Sequence, residues 1–359
     1  MDRAADDAIE TDDAGGGRRG LRATPSDALL AAVHRAYGIG DGLDPVDLGG
    51  SSNLNLLVGV GDGRSVVRVY RPHLTVDRLH AMQAVRDTLA RAGVPCAPLL
   101  PTRDGHAWLA FENRLVEVER FVAWDAVMDT WERLETGLFL LGRLHTVLRD
   151  LAVGTAGQVP QFANYLDATA VVEQTRAGVQ RIRAWQPSPS EVVLADDAEA
   201  LGRAVARAER PFIPQLPRQL VHGDFWDNNV LFRGSEVACI TDFDFMGVRP
   251  RTDDLALTLY FACMQFFENP VSDAQLGRLG RLLDAYDAGS AIPLSATERA
   301  ALPLALARQP LWSIGGWVAA LDDETAARRH AAGTAASVRW SRRLLDELGR
   351  WQTALSGRS

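Results

Sequence analysis

The chain has 359 residues, 47% hydrophobic and 23% charged, which at roughly 150 residues per domain suggests about two domains with substantial cores. All 38 basic residues are arginine, so phosphate loops built on a Gly-Lys pair and Schiff-base chemistry on an internal lysine are excluded, and phosphate charge has to be met by arginine, backbone N–H groups or metal ions. The net charge of −8 argues against general nucleic-acid binding, which leaves a basic footprint.

Residues 1–24 read as a disordered leader, because an acidic stretch followed by GGGRRG has nothing to bury. That stretch has no apolar signal core, and no later run approaches the ~20 apolar residues that span a bilayer. Cys96, Cys239 and Cys263 lie far apart and are odd in number, so neither a disulfide framework nor a zinc site follows from their spacing. The expectation is a cytoplasmic protein with no membrane partner. Ser26 is a candidate N-cap for a helix carrying Leu29, Leu30 and Val33. From 47 to 70 the texture changes, and DLGGSSNLNLLVGV, the turn signal GDGR at 61–64 and SVVRVY predict a β-hairpin. Leu79, Met82, Val85, Leu89 and Ala92 then share a helical face that stops at Gly93.

A Pro-rich connection leads into two short strands, HAWLAF and RLVEVERFV. After about residue 123 the pattern is helical, most strongly between Trp131 and Leu148, and QPSPS at 186–190 reads as a loop. Three strand-like runs, QLVH, NVLF and VACIT, precede helices that resume at about 253. No internal repeat is present. The pattern predicts an α+β protein with a small β-rich lobe over 25–122, containing one helix, and a larger, mainly helical lobe over 123–359.

The chemistry concentrates in HGDFWDNN at 222–229 and ITDFDF at 240–245. The first places Asp224 and Asn229 five residues apart on a tight loop between two apolar strands, and the second puts Asp242 and Asp244 at the end of the next strand. Carboxylates and an amide on adjoining strand ends make a hard-oxygen site suited to Mg²⁺, with one carboxylate left to accept a hydroxyl proton.

At this spacing the sequence resembles the aminoglycoside phosphotransferase family of small-molecule kinases, which includes choline-kinase-like and homoserine-kinase-like branches. Its HGD-x4-N loop and DF metal motif are both present. GGSSNLN at 49–55 is similar to the family's nucleotide loop, VVRVY to its third strand, LGRLH at 141–145 to the helix before the catalytic loop, and RTDDLAL at 251–257 to the motif that braces it. The resemblance implies a two-lobed, protein-kinase-like fold with a nucleotide-binding N-lobe and a catalytic, substrate-binding C-lobe. It implies Asp224 as catalytic base or hydroxyl-orienting group, and Asn229 and Asp242 as Mg²⁺ ligands. The nucleotide, ATP or GTP, would meet Ser51, Ser52, Asn53 and Arg68 at its phosphates and the backbone of Glu119 to Phe121 at its base.

Several assignments stay open. Asp244 is a second metal ligand, a substrate contact or a surface residue, and Asp227 is a further carboxylate near the metal or a loop cap. His222 reads as structural support, His145 as a satisfied core histidine, and Asp254 as a brace for the catalytic loop or a cap of its own helix. Met82 or Gln83 stands where the family carries the carboxylate that pairs with the third-strand base, which leaves the partner of Arg68 in question. Trp312 and Trp317 near Asp322, Asp323 and Glu324 would suit an amine-bearing substrate, although core tryptophans beside a solvated helix end is the simpler reading. The expected activity is O-phosphotransfer to a small hydroxyl-bearing molecule. A cationic antibiotic of aminoglycoside type is mildly favoured, homoserine, choline or a sugar is the alternative, and a nucleotide-binding pseudokinase is the contrasting possibility.

Overall fold

The computed structural model describes residues 22–39, 44–50, 52–160 and 165–357. The expected leader lies outside them except for its end, where Arg22 Nη2 already pairs with Asp47 Oδ1 at 2.5 Å. The chain divides into two compact units, one containing the residues up to His80 and Cys96–Ala123, the other Ala81–Pro95 and Trp124–Ser359. The sequence pattern assigns all of 25–122 to the first lobe. Residues 81–95 instead cluster with the second unit, where Arg143 Nη2 donates to the Ala92 carbonyl and the Ile240 N–H to the Pro95 carbonyl.

In the first unit, Ser26 caps helix α1 (Asp27–Tyr37) by accepting the Leu29 N–H, and Gly38 ends it in the left-handed conformation. The sheet consists of β1 (Val46–Asp47), β2 (Leu54–Val58), β3 (Ser65–Val69), β4 (Leu99–Leu100), β5 (Leu109–Phe111) and β6 (Arg114–Arg120). It is antiparallel in the order β1-β2-β3-β6-β4, with β5 on β6. Alternation sorts its two faces. Leu54, Leu56, Val58, Val67, Val69, Val116 and Val118 form one core with Leu29 and Val33 of α1. Arg68 and Glu117 stand opposite each other on the other face. Helix α2 (Val76–Arg91) follows, ahead of β4.

The second unit is mainly helical: α3 (Trp131–Leu148), α4 (Val171–Ala184), α5 (Pro189–Glu209), α6 (Arg251–Phe266), α7 (Asp273–Gly289), α8 (Ala296–Arg308), α9 (Glu324–Asp346) and α10 (Leu348–Leu355). QPSPS is only partly a loop, because Ser188 and Glu191 form a capping box with Pro189 in the first turn, which starts α5 there. Strands β7 (Arg218–Val221), β8 (Val230–Arg233) and β9 (Glu236–Ile240) match the three runs read from the sequence. A further strand, β10 (Gly247–Pro250), pairs with β7, while β8 pairs with β9. Its GVRP sequence has no apolar alternation to announce it, and only the partner strand makes it extended. No helix among the described residues is long and apolar enough to cross a membrane.

Helices α3 and α7 approach at two glycines. A Cβ on Gly142 would run into the Tyr286 carbonyl, and one on Gly289 into the Phe139 carbonyl. This close packing brings His145, one turn beyond Gly142, to 2.8 Å from the Tyr286 hydroxyl. Gly142→Leu is therefore expected to cost about 3 kcal/mol, the upper range for overpacking. It should appear as a lower urea midpoint at unchanged slope, and an unchanged midpoint would refute the close approach.

Candidate active site

Strand β7 delivers the chain into His222, Gly223 and Asp224, and a single 3₁₀ turn over Asp227–Asn229 returns it into β8. The turn aims the Asn229 side chain back, so that its Nδ2 donates to the Asp224 carbonyl at 2.9 Å and to Asp224 Oδ2 at 2.8 Å. At the open end of the β8–β9 hairpin the Thr241 N–H donates to the Asn229 carbonyl at 3.0 Å, which brings Asp242 alongside on the adjoining chain. Three residues distant in sequence thus leave neighbouring backbone positions. Asp242 holds φ 62° and ψ 67°, a left-handed conformation costly for a residue with a Cβ.

The loop hangs from a buried carboxylate on α6. Asp254 Oδ2 accepts the His222 N–H at 2.9 Å and Oδ1 accepts the Gly223 N–H at 2.7 Å. His145 Nε2 donates to the same Oδ2 at 3.1 Å. Burial works to raise the Asp254 pKa, but the His145 hydrogen bond, with the positive charge of Arg249 close by, outweighs it and holds the carboxyl below its ordinary range. One turn along α6, the Thr258 hydroxyl donates to the Phe225 carbonyl, so α6 grips the backbone on both sides of Asp224. Gly223 is required here, because its φ is 88° and a Cβ would strike the Phe245 carbonyl and the Arg249 guanidinium.

His222 is fully buried between the rings of Phe225 and Phe243. Its Nε2 lies 3.0 Å from the Thr241 carbonyl and its Nδ1 accepts the Asp224 N–H at 3.2 Å, a pair of bonds that only the neutral Nε2–H tautomer satisfies. The ring is therefore a spacer between the two strand ends and not a base.

Among the described residues no group of three or more His, Cys, Asp or Glu is gathered to hold a metal. Mg²⁺ does not need one, since it keeps waters and takes one or two carboxylates together with substrate phosphates. Asp242, with the amide oxygen of Asn229 whose NH₂ is committed to Asp224, fits that requirement. Asp244 is fully buried, which removes the surface alternative for it. Asp227 Oδ1 accepts the Asn228 N–H at 2.9 Å, as a loop cap does.

On the first unit, Arg68 has acidic company after all: Glu119 Oε1 lies 4.0 Å from its Nη2, at charge-contact distance, and Glu117 stands directly across the ladder. The alternating RLVEVER run of β6 is the signal that puts both glutamates on the face Arg68 occupies, Glu117 directly opposite it and Glu119 opposite Val66. Asn53 is buried and turns inward to accept the Arg71 N–H at 3.1 Å, Ser52 is half-buried, and Ser51 lies outside the described residues. Glu119 sits in the ladder between β3 and β4, and the N–H groups of Arg120 and Phe121 are already donated to the Pro98 and Arg64 carbonyls. Backbone donors at this point are thus used inside the sheet. Asp323 caps α9 and Glu324 pairs with Arg328, which gives two of the three acids near Trp317 structural work. Tyr286, Thr258 and Arg249 escaped the sequence reading. Of these only Thr258, four residues after Asp254, carried a periodicity that could have shown it.

Burial pushes the His222 pKa down from 6.5 to about 4. Between those values the unfolded chain takes up a proton that the native ring refuses, so stability falls as pH drops from 6.5 to 4. The loss amounts to about 3 kcal/mol at ~1.4 kcal/mol per pKa unit. His222→Gln should flatten the dependence of unfolding free energy on pH in that window, and an unchanged slope would show that the ring titrates normally.

Residues 45–301 match the profile of the phosphotransferase enzyme family. The chain is 27% identical over 288 residues to the homoserine kinase of Rhodopseudomonas palustris (strain HaA2), covering 77% of this chain and 78% of that protein. In fold it is similar to a microcompartment-associated aminopropanol kinase, with a TM-score of 0.66, 19% identity and coverage of 90% and 99% of the two chains. It is also similar to the amicoumacin kinase solved with AMP-PNP, Ca²⁺ and amicoumacin, with a TM-score of 0.65, 14% identity and coverage of 90% and 94%. The fold is thus the α+β protein-kinase-like one, and with its family profile spanning both the sheet unit and the loop at 222–229, this chain belongs to the phosphotransferase enzyme family and is a small-molecule kinase.

Proposed function

We propose that this kinase transfers the γ-phosphate of ATP to the hydroxyl of a short amine-bearing alcohol, with homoserine the first acceptor to test. The observation that carries the acceptor is the similarity to homoserine kinases over more than three quarters of both chains. AMP-PNP and Ca²⁺ in the amicoumacin kinase support an adenine nucleotide with a divalent cation. Trp226, two residues from Asp224, stacks on Phe261 with ring centroids 4.6 Å apart. An indole face so near the reacting carboxylate favours an ammonium group on the acceptor.

In this reading the acceptor hydroxyl donates to Asp224 and attacks the γ-phosphorus in line. The bond to the β-phosphate oxygen breaks, ADP leaves, and the hydroxyl proton ends on Asp224. Asn229 fixes the carboxylate by its bond to Oδ2, so the acceptor meets a pre-aimed oxygen. Asn229 and Asp242 would hold Mg²⁺, which when bound neutralises phosphate charge. Arg68, kept in place by Glu119, would serve a nucleotide phosphate. Little covalent work falls to the protein, and positioning with charge neutralisation supplies the rate.

Asp224→Ala is expected to lower kcat on the order of 1,000-fold while leaving ATP affinity within about two-fold. The measurement is ADP formation from ATP and, separately, GDP formation from GTP, each with Mg²⁺ and with homoserine, 1-amino-2-propanol, choline, sugars and aminoglycosides as acceptors. Phosphorylation of homoserine by the wild type alone supports the proposal. Turnover confined to an aminoglycoside would overturn the acceptor, and unchanged turnover in Asp224→Ala would overturn the role of that residue.

A further inference from the structure

Helix α6 holds the backbone around Asp224 through Asp254 and Thr258, and a second set of contacts holds α6. The Arg251 guanidinium donates to both oxygens of Glu298, at 2.6 and 2.9 Å. Arg308 Nη2 donates to Asp253 Oδ1 at 2.7 Å, and its Nε to both oxygens of Glu209 at 3.1 Å. Glu298 and Arg308 lie near the two ends of α8. Each helix therefore lends the other an arginine and takes a carboxylate in return. None of the four side chains is more than 6% exposed.

The geometry of the exchange bears on Asp254. At about 100° per residue, Arg251 and Asp253 leave α6 roughly 200° apart, with Asp254 between them on the third side. Anchors on opposed sides of one turn block both rotation of α6 about its axis and sliding along it, and a single anchor leaves one of these motions open. Stability alone is a weak reason to bury two ion pairs, because apolar residues of similar volume commonly serve as well or better. A directional, multidentate pair also fixes the register between two helices, which is the use of buried ion pairs that is best attested.

We propose that the reciprocal ion pairs Arg251–Glu298 and Asp253–Arg308 are positioning elements for phosphoryl transfer, holding α6 so that Asp254 carries the His222–Gly223 backbone, and Asp224 with it, at its working place. Glu298 and Arg308 are thereby positioning residues that act through Asp254. The inference rests on the kinase assignment and on no choice of acceptor. A misplacement of about 1 Å costs on the order of 100-fold in rate, so small relaxations of α6 are readable.

The test replaces one pair as Arg251→Met with Glu298→Gln. This leaves no buried charge unpaired and keeps a capping-box side chain opposite Ser295. The carbonyls of Ile292 and Pro293, which Arg251 also caps, belong to exposed residues and can take water instead. Three quantities are read: kcat with homoserine, the ATP dissociation constant, and hydrogen exchange at the amides that Asp254 accepts, those of His222 and Gly223. The expected result is a roughly ten-fold or larger fall in kcat, ATP affinity within about two-fold, and faster exchange at those two amides with β8 and β9 unchanged. A lower melting temperature with kcat and both amides unaltered would overturn the proposal, because that is the signature of a structural role alone. If the double variant does not fold, Arg308→Lys, which keeps the charge and loses the fork, is read in the same way with the same expectations. Amide exchange needs no acceptor, so a wild type silent toward homoserine defeats the acceptor reading while these amides still decide this inference.

Discussion

The N–H groups of His222 and Gly223 converge on one carboxylate, Asp254, and the geometry of the candidate site depends on that convergence. A carboxylate this deeply buried is costly unless several donors satisfy it, and here two backbone amides and one imidazole do so. These bonds hold the backbone before Asp224, and the Thr258 hydroxyl on the Phe225 carbonyl holds the backbone after it. Asn229 then needs only the turn at 227–229 to reach back to the Asp224 carboxylate. His222 completes the frame as a neutral spacer between the ends of β7 and β9.

Arginine carries every positive charge in this protein, and its chemistry suits what the fold asks of it. A planar fork can satisfy two carboxylate oxygens and several carbonyls together, which a lysine ammonium cannot do with the same geometry. Arg251 uses this to tie Glu298 to the Ile292 and Pro293 carbonyls, and Arg308 to join Glu209, Asp253 and the Leu166 carbonyl. These side chains are buried yet fully engaged, so the absence of lysine from the sequence becomes, in the fold, a set of multidentate joints.

Much of the architecture was legible because local signals and tertiary demands agree. Ser26 caps α1, the apolar period from Trp131 to Leu148 coincides with α3, and the HGDFWDNN spacing places Asp224 and Asn229 in contact. The misses have separate causes. QPSPS hid a helix start because serine and proline mark both loops and first turns, and β10 stayed hidden because its extended form comes from pairing with β7. Arg68 lacks a carboxylate on the helix that carries one in the family, and the nearby carboxylates come from β6 instead.

The sequence by itself determined the kind of chemistry: a hard-oxygen pair and a carboxylate at short fixed spacing, an arginine-only answer to phosphate, and the family to which these residues belong. Short spacing suffices for this because a tight loop leaves few places for residues five apart to go. The sequence offered Asp254 as a brace of the loop or a cap of its own helix, and only the tertiary structure decided for the brace and supplied the groups that hold Asp254 in turn. The partners His145 and Asp254, His145 and Tyr286, Arg251 and Glu298, and Asp253 and Arg308 lie dozens of residues apart or more, and their hydrogen bonds depend on how helices pack, down to the glycines that let α3 reach α7. No local pattern encodes such pairings, because each bond is set by the sum of packing contacts that bring two distant segments to within hydrogen-bond reach.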